Sequence, residues 1–264
     1  YLEIRFAPQL HVRTGELDIP RILAAVDRGL DRARRHHEAT PEVLTGGEPP
    51  FRYGIICCAM RMFTGGFGPY FRGLLDVLPQ WPVKKIYGIA SLSLARAVVD
   101  ARDRFGLPVV GFDLAGAEAG HPAHDHVEAY LYCHHHFLKK TVHAGEAYGP
   151  ESIFEAITRL NADRIGHGTH LYAVDQVEDD DPHRYVRQLS EYLADRRILI
   201  EACITSNMQT MPELRRVQDH PVGRMVQDRQ SVTLCTDNRL VSSTTVSREY
   251  RLAVDAFGLS PPEL

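Results

Sequence analysis

Between Lys139 and Pro150 the chain reads KKTVHAGEAYGP. A short strand-like run stops at small residues, and there an imidazole, His143, and a carboxylate, Glu146, stand three positions apart. Similar strand ends recur. His167 falls in DRIGHG, Glu201 and Asn207 in RILIEACITSN, and Asp237 ends SVTLCTD just before Asn238. Imidazoles and carboxylates are ligands for zinc and common groups for proton transfer. Taken singly, each has a bland reading: a strand-end histidine is usually structural, and a strand-end aspartate usually serves a turn or cap.

These residues need elements to hold them. Segments 1–6, 52–60, 108–116, 139–145, 163–168, 197–207 and 231–237 read as strands and their turns. Segments 19–37, 91–106, 123–137, 150–160, 182–195 and 244–258 read as helices, from apolar residues at helical spacing or from their place between strands. Residues 38–50 are a Pro/Gly-rich loop, and FTGGFGPYF (63–71) reads as a βα loop. About seven strands alternate with helices, which predicts an α/β fold with a parallel sheet. Such a sheet closes as a (β/α)8 barrel or stays open and doubly wound. His143, Glu146, His167, Glu201, Asn207 and Asp237 are spread over many strand ends, where a barrel gathers its site. An open sheet would concentrate its site at one switch point, and no GxGxxG or Walker loop marks one. The expectation is one barrel-like domain over 1–264.

Composition excludes some classes. The formal net charge is −4, which provides no basic field for nucleic acid. No apolar run approaches the roughly 20 residues of a membrane span, and no secretory leader is recognisable. The five cysteines lack metal-finger spacing and point to a reducing cytosol; Cys57 and Cys58 read as buried strand residues.

YLEIRFAPQLH, VVGFDLAGAEAG, KTVHAGEAYGPESI, ADRIGHGTHL, IEACITSNMQT and LCTDNRLVSSTTVSRE together resemble the adenosine deaminase family in order and spacing. The resemblance implies a (β/α)8 barrel and zinc-dependent hydrolytic deamination of adenosine-like purines. It makes His143 a zinc ligand and Glu146 the proton donor to purine N1. It puts His167 beside the attacking water and makes Asp237 a zinc ligand that also takes a water proton. Gly116 becomes a backbone contact to the purine. Asn238 stands where many members have an aspartate that contacts N7; an amide NH2 can donate there directly. The chemistry explains the types. Zinc lowers the pKa of its bound water from about 15.7 to about 7, so hydroxide can attack C6. The ring must then take a proton from an acid facing N1.

The family also takes two zinc histidines from an HxH on a strand that would precede Tyr1. The resemblance therefore implies about seven of eight strands, with the first strand and the C-terminal helices missing. The 264 residues alone are then expected to bind zinc weakly and to be inactive. LSPPEL reads as a helix start capped by Ser260. His124 and His126 repeat the HxH spacing, but i and i+2 diverge on a helix. The stretch from His121 to His136 reads as a solvated, histidine-rich surface segment. His11, His36, His37, His170, His183 and His220 read as loop or surface residues. Glu201 and Asn207 read as barrel-rim support. The expected partner is a small purine nucleoside, in the cytoplasm, without nucleic acid or membrane. Rival readings are another 6-aminopurine compound (adenine, an N6-modified purine, aminodeoxyfutalosine) and a non-catalytic deaminase-like binding protein.

Overall fold

The computed structural model describes residues 1–14 and 16–259. In chain order they form β1 (Leu2–Phe6), α1 (Ile19–Glu38), α2 (Pro41–Leu44), β2 (Tyr53–Met60), α3 (Pro69–Val77), α4 (Val83–Asp103) and β3 (Val109–Ala115). There follow α5 (Val127–His135), β4 (Lys139–Ala144), α6 (Pro150–Leu160), β5 (Arg164–His167), α7 (Pro182–Arg196) and β6 (Leu199–Ala202). The last are α8 (Ile204–Thr210), α9 (Val222–Gln227), β7 (Ser231–Leu234), α10 (Arg239–Ser242) and α11 (Val246–Phe257). The helix start expected at Ser260 lies outside the described residues. No described helix is long and apolar enough to cross a membrane.

Each strand pairs in parallel with the next, in the order β1-β2-β3-β4-β5-β6-β7. A doubly wound sheet reverses its order at a switch point. A strictly sequential parallel order is that of the β/α barrel class, with seven strands among the described residues.

The chain divides into two compact units. The first holds Tyr1–Ala117 and His121–Lys140. Its strand β2 is buried over residues 54–59, Cys57 and Cys58 included, as a parallel strand covered on both faces should be. Phe63 and Phe71, in the stretch read as a loop, are instead core residues packed with Ile86, Tyr87 and Ala90. Their rings meet at 4.4 Å, and Pro69 starts helix α3 there. Helix α4 begins at Val83, eight residues earlier than the periodicity suggested. Gly88 lies inside it for a packing reason: a Cβ there would sit 2.5 Å from the Asp125 carbonyl oxygen.

The second unit holds Glu118–Gly120 and Thr141 onward. Ala202, Ile204, Val222, Leu234 and Ala253 form a core cluster in it, linking β6, α8, α9, β7 and α11. Strand β6 ends at Ala202, and residues expected to be strand and turn form α8 instead, its first turn closed by Asn207 N–H on the Cys203 carbonyl at 2.8 Å. Helix α9 was not anticipated. Its signals are Pro221 before the first turn and the spaced apolar residues Val222 and Met225, both buried.

The histidine-rich segment departs from its solvated reading: Ala123, Ala129, Tyr130 and Cys133 are buried, and so is one of its histidines. His126 is fully buried, with Nδ1 2.7 Å from Ser91 Oγ. Burial, reinforced by the Arg61 charge, pushes its pKa down to about 3. The physical reason is the 310 turn Ala123–His126, which points this ring inward while His124 stays outside. In the unfolded chain the imidazole titrates near 6.5. Above that pH neither state is charged; below it the unfolded chain takes up a proton that the folded chain refuses, so stability falls with pH. From pH 7 to pH 5 this one residue should remove about 2 kcal/mol. Urea unfolding of wild type and His126→Gln at both pH values should show wild type losing that much more. Equal losses would contradict a neutral buried imidazole.

Candidate active site

Strand β4 ends at Ala144, and the chain turns at once. Gly145 has φ +70°, and a Cβ on it would lie 2.7 Å from Ile153 Cδ1 of α6. Glycine answers both constraints. The amides of this turn converge on one buried acceptor, the carboxylate of Glu118. Oε1 accepts from Gly145 N–H at 3.0 Å. Oε2 accepts from Glu146, Ala147 and Tyr148 N–H at 3.1, 2.7 and 3.2 Å. The Ser152 hydroxyl also donates to Oε1. Gly120 N–H donates to Tyr148 Oη at 2.9 Å. These bonds explain why Glu118–Gly120 belongs with the second unit although the first flanks it in sequence. The chain after β5 is tied to the same turn, by Gly168 N–H to Ala144 O at 3.1 Å and His170 N–H to Gly145 O at 2.8 Å.

The turn presents His143 and Glu146 to the end of β5. The rings of His143 and His167 lie 5.1 Å apart, inclined at 61°. His167 Nε2 is 3.7 Å from Glu146 Oε2. His167 is buried, whereas the Glu146 side chain is 32% exposed, so a ligand would be needed to complete its burial. Helix α8 serves both neighbouring strand ends. Ser206 Oγ donates to Asp237 Oδ2 at 2.7 Å, and Asn207 Nδ2 lies 3.1 Å from His167 Nδ1. His167 and Asp237 have φ of 67° and 52°. Such left-handed backbone is uncommon for residues with side chains and collects at functional sites.

Asn238 caps α10, its Oδ1 accepting Val241 N–H at 3.4 Å; the amide NH2 takes no part in that cap. Gly116 follows β3 in the first unit with φ +99°. Glu201 is buried in β6, accepting from Thr141 Oγ1 at 3.3 Å and pairing with Arg164 at 3.3 Å, a supporting role. His220, read as a surface residue, is buried. Its Nε2 lies 3.2 Å from Asn207 Oδ1, and its Nδ1 accepts Val222 N–H at 3.1 Å. Burial, and then the nearby His167, push its pKa down to about 4. The one sequence signal for this residue was the His-Pro step that opens α9.

His143 and Asp237 are donors of the kind that zinc takes. In number they fall short: among the described residues no three His, Cys, Asp or Glu side chains are grouped to hold an ion. A catalytic zinc has three protein ligands, so the described residues fit part of such a site.

Residues 87–264 match the family model described as adenosine deaminase, more than half of the chain. The chain belongs to the adenosine deaminase family. It is 36% identical over 261 residues to an adenosine deaminase of Mycobacterium avium, covering 98% of this chain and 61% of that relative's length. It is 34% identical over 259 residues to an adenosine deaminase of Mycobacterium tuberculosis, covering 98% of this chain and 60% of the relative. The chain thus spans about three fifths of the curated deaminases it matches. Among solved structures, the apo N6-methyl-AMP deaminase of Arabidopsis thaliana aligns with TM-score 0.67 at 24% identity, over 100% of this chain and 64% of that one. An amidohydrolase of Burkholderia ambifaria with bound Zn aligns with TM-score 0.66 at 16% identity, over 99% of this chain and 59% of that one. Both likenesses support the α/β barrel-type fold.

If the Glu118 carboxylate organises the turn, Glu118→Ala should lower unfolding stability by about 2–4 kcal/mol, because buried donors lose a charged acceptor. Amides 145–148 should also exchange faster with solvent. A change under about 0.5 kcal/mol, the range of ordinary surface substitutions, would show that the turn holds without it.

Proposed function

We propose that this protein hydrolyses the C6 amino group of adenosine, giving inosine and ammonia. The observation that carries this reading is the convergence of Glu146 on His167 at 3.7 Å, with the His143 ring beside them. An acid, a hydrogen-bonding imidazole and a metal-type donor face one place, and Asp237 is anchored by the same helix that touches His167.

Adenosine lies with N1 toward Glu146 and C6 toward His167. Glu146 gives its proton to N1, which draws electrons from C6. Water oxygen bonds to C6, with His167 orienting it and Asp237 taking its proton. The C6–N bond then breaks as Asp237 passes its one proton to the leaving nitrogen. The C6 hydroxyl gives up its proton, which restores Glu146, and ammonia departs from a 6-oxopurine that keeps the N1 proton. A zinc ion, held in part by His143 and Asp237, would make the water acidic enough to react at neutral pH. The Asn238 NH2 donates to N7, while its carbonyl oxygen keeps the cap of α10.

The test uses the protein expressed from its complete reading frame and supplied with zinc. Adenosine, adenine and N6-methyl-AMP are offered separately, and 6-oxopurine product is measured. Adenosine should react fastest. Another fastest substrate would move the specificity, and binding without product from any of them would overturn the enzymatic reading.

In that protein Glu146→Gln should lower kcat by at least about a hundredfold with zinc content unchanged, since an amide keeps the shape but delivers no proton. A loss below about tenfold would remove Glu146 from the acid role. For Asn238 the comparison is adenosine with 7-deazaadenosine, in which C–H replaces N7. Wild type should discriminate strongly, and Asn238→Ala should lose most of that discrimination by slowing adenosine. Equal discrimination by both would leave Asn238 as a cap only.

A further inference from the structure

We infer that His220 and Asn207 are positioning residues: with the Val222 backbone N–H they form a polar chain that holds His167 as its Nε2–H tautomer. The direction of the chain is set by its far end. A backbone N–H can only donate, and Val222 donates to His220 Nδ1 at 3.1 Å. That nitrogen must therefore be bare. The buried, neutral ring then carries its proton on Nε2, which faces Asn207 Oδ1 at 3.2 Å. An N–H needs an acceptor, so the Asn207 carbonyl faces His220 and its NH2 faces His167. The NH2 lies 3.1 Å from His167 Nδ1, which must accept and is bare in turn. The remaining proton of a neutral His167 is on Nε2, the nitrogen 3.7 Å from Glu146 Oε2.

All of these groups are buried: Asn207 at 0%, His220 at 2% and His167 at 3% exposure. Water is thus kept from substituting for a partner, and reversing the chain would leave the Val222 N–H facing another donor. The consequence at the site rests on the deaminase reading above. His167 meets the incoming oxygen as a donor and has no free lone pair there. It orients the nucleophile and does not deprotonate it, which leaves that proton to Asp237.

The test is long-range 1H–15N correlation of histidine-labelled protein near pH 7, with and without zinc and without substrate. His167 and His220 resonances are assigned by loss in His167→Asn and His220→Gln. Both rings should show a protonated Nε2 and a bare Nδ1. Asn207→Asp puts only acceptors opposite Nδ1 and should move the His167 proton to Nδ1. Should that variant fail to fold, His220→Leu serves instead: it frees the Asn207 amide to turn, and the two His167 tautomers should mix. His220→Gln restores an N–H donor and should keep the wild-type tautomer. A wild-type His167 protonated on Nδ1, or mixed tautomers, would overturn the relay, as would an Asn207→Asp spectrum identical to wild type. These spectra do not depend on turnover. Inactivity of the zinc-supplied protein expressed from its complete reading frame, with the expected tautomer present, would count against the deaminase reading and leave the relay standing.

Discussion

The candidate site depends on one carboxylate. Glu118 is buried, and a buried charge persists only when it is well paired. Four backbone N–H groups and a hydroxyl supply the pairing, and all come from the turn after β4 and the start of α6. Hydrogen bonds to a charged group contribute about 1.5–3 kcal/mol each. The same bonds that make the carboxylate tolerable fix the path of residues 145–148. Glu146 has little freedom to present its side chain elsewhere, and His143 is held at the last turn of the strand before it.

Helix α8 supplies the second constraint. Its neighbouring residues Ser206 and Asn207 bind Asp237 and His167, which sit at the ends of different strands. Both of those residues have left-handed backbone, a conformation that must be held by its surroundings. The core cluster of Ala202, Ile204, Val222, Leu234 and Ala253 provides that rigidity by packing α8 and α9 against β6 and β7. Apolar packing around α8 and α9 thus helps to set how the polar residues meet.

Much of this was legible in the sequence. Strand–helix alternation follows from local patterns, and so do the positions of His143, His167 and Asp237 at or just after strand ends, whereas Ser206 and Asn207, read as strand and turn, lie in helix α8. What was not legible depends on contacts distant in sequence. No local pattern singles out Glu118; its role shows only when the amides of 145–148, about 30 residues later, converge on it. His220 and His126 read as surface histidines because polarity predicts exposure; their burial follows from Asn207 and Ser91, which no local window contains. The aromatic–glycine stretch 63–71 carries turn signals that tertiary packing of Phe63 and Phe71 overrides.

The central claim is that the strand ends of β4, β5 and β7 form one purine site, with Glu146 as the group that meets N1. A crystal structure of the protein, expressed from its complete reading frame, with inosine bound tests it most directly. N1 should lie within about 3 Å of a Glu146 carboxyl oxygen, with O6 beside His167 and Asp237. A purine seated at this mouth with Glu146 turned to the ribose or to solvent, or a purine bound at another surface, would contradict the account.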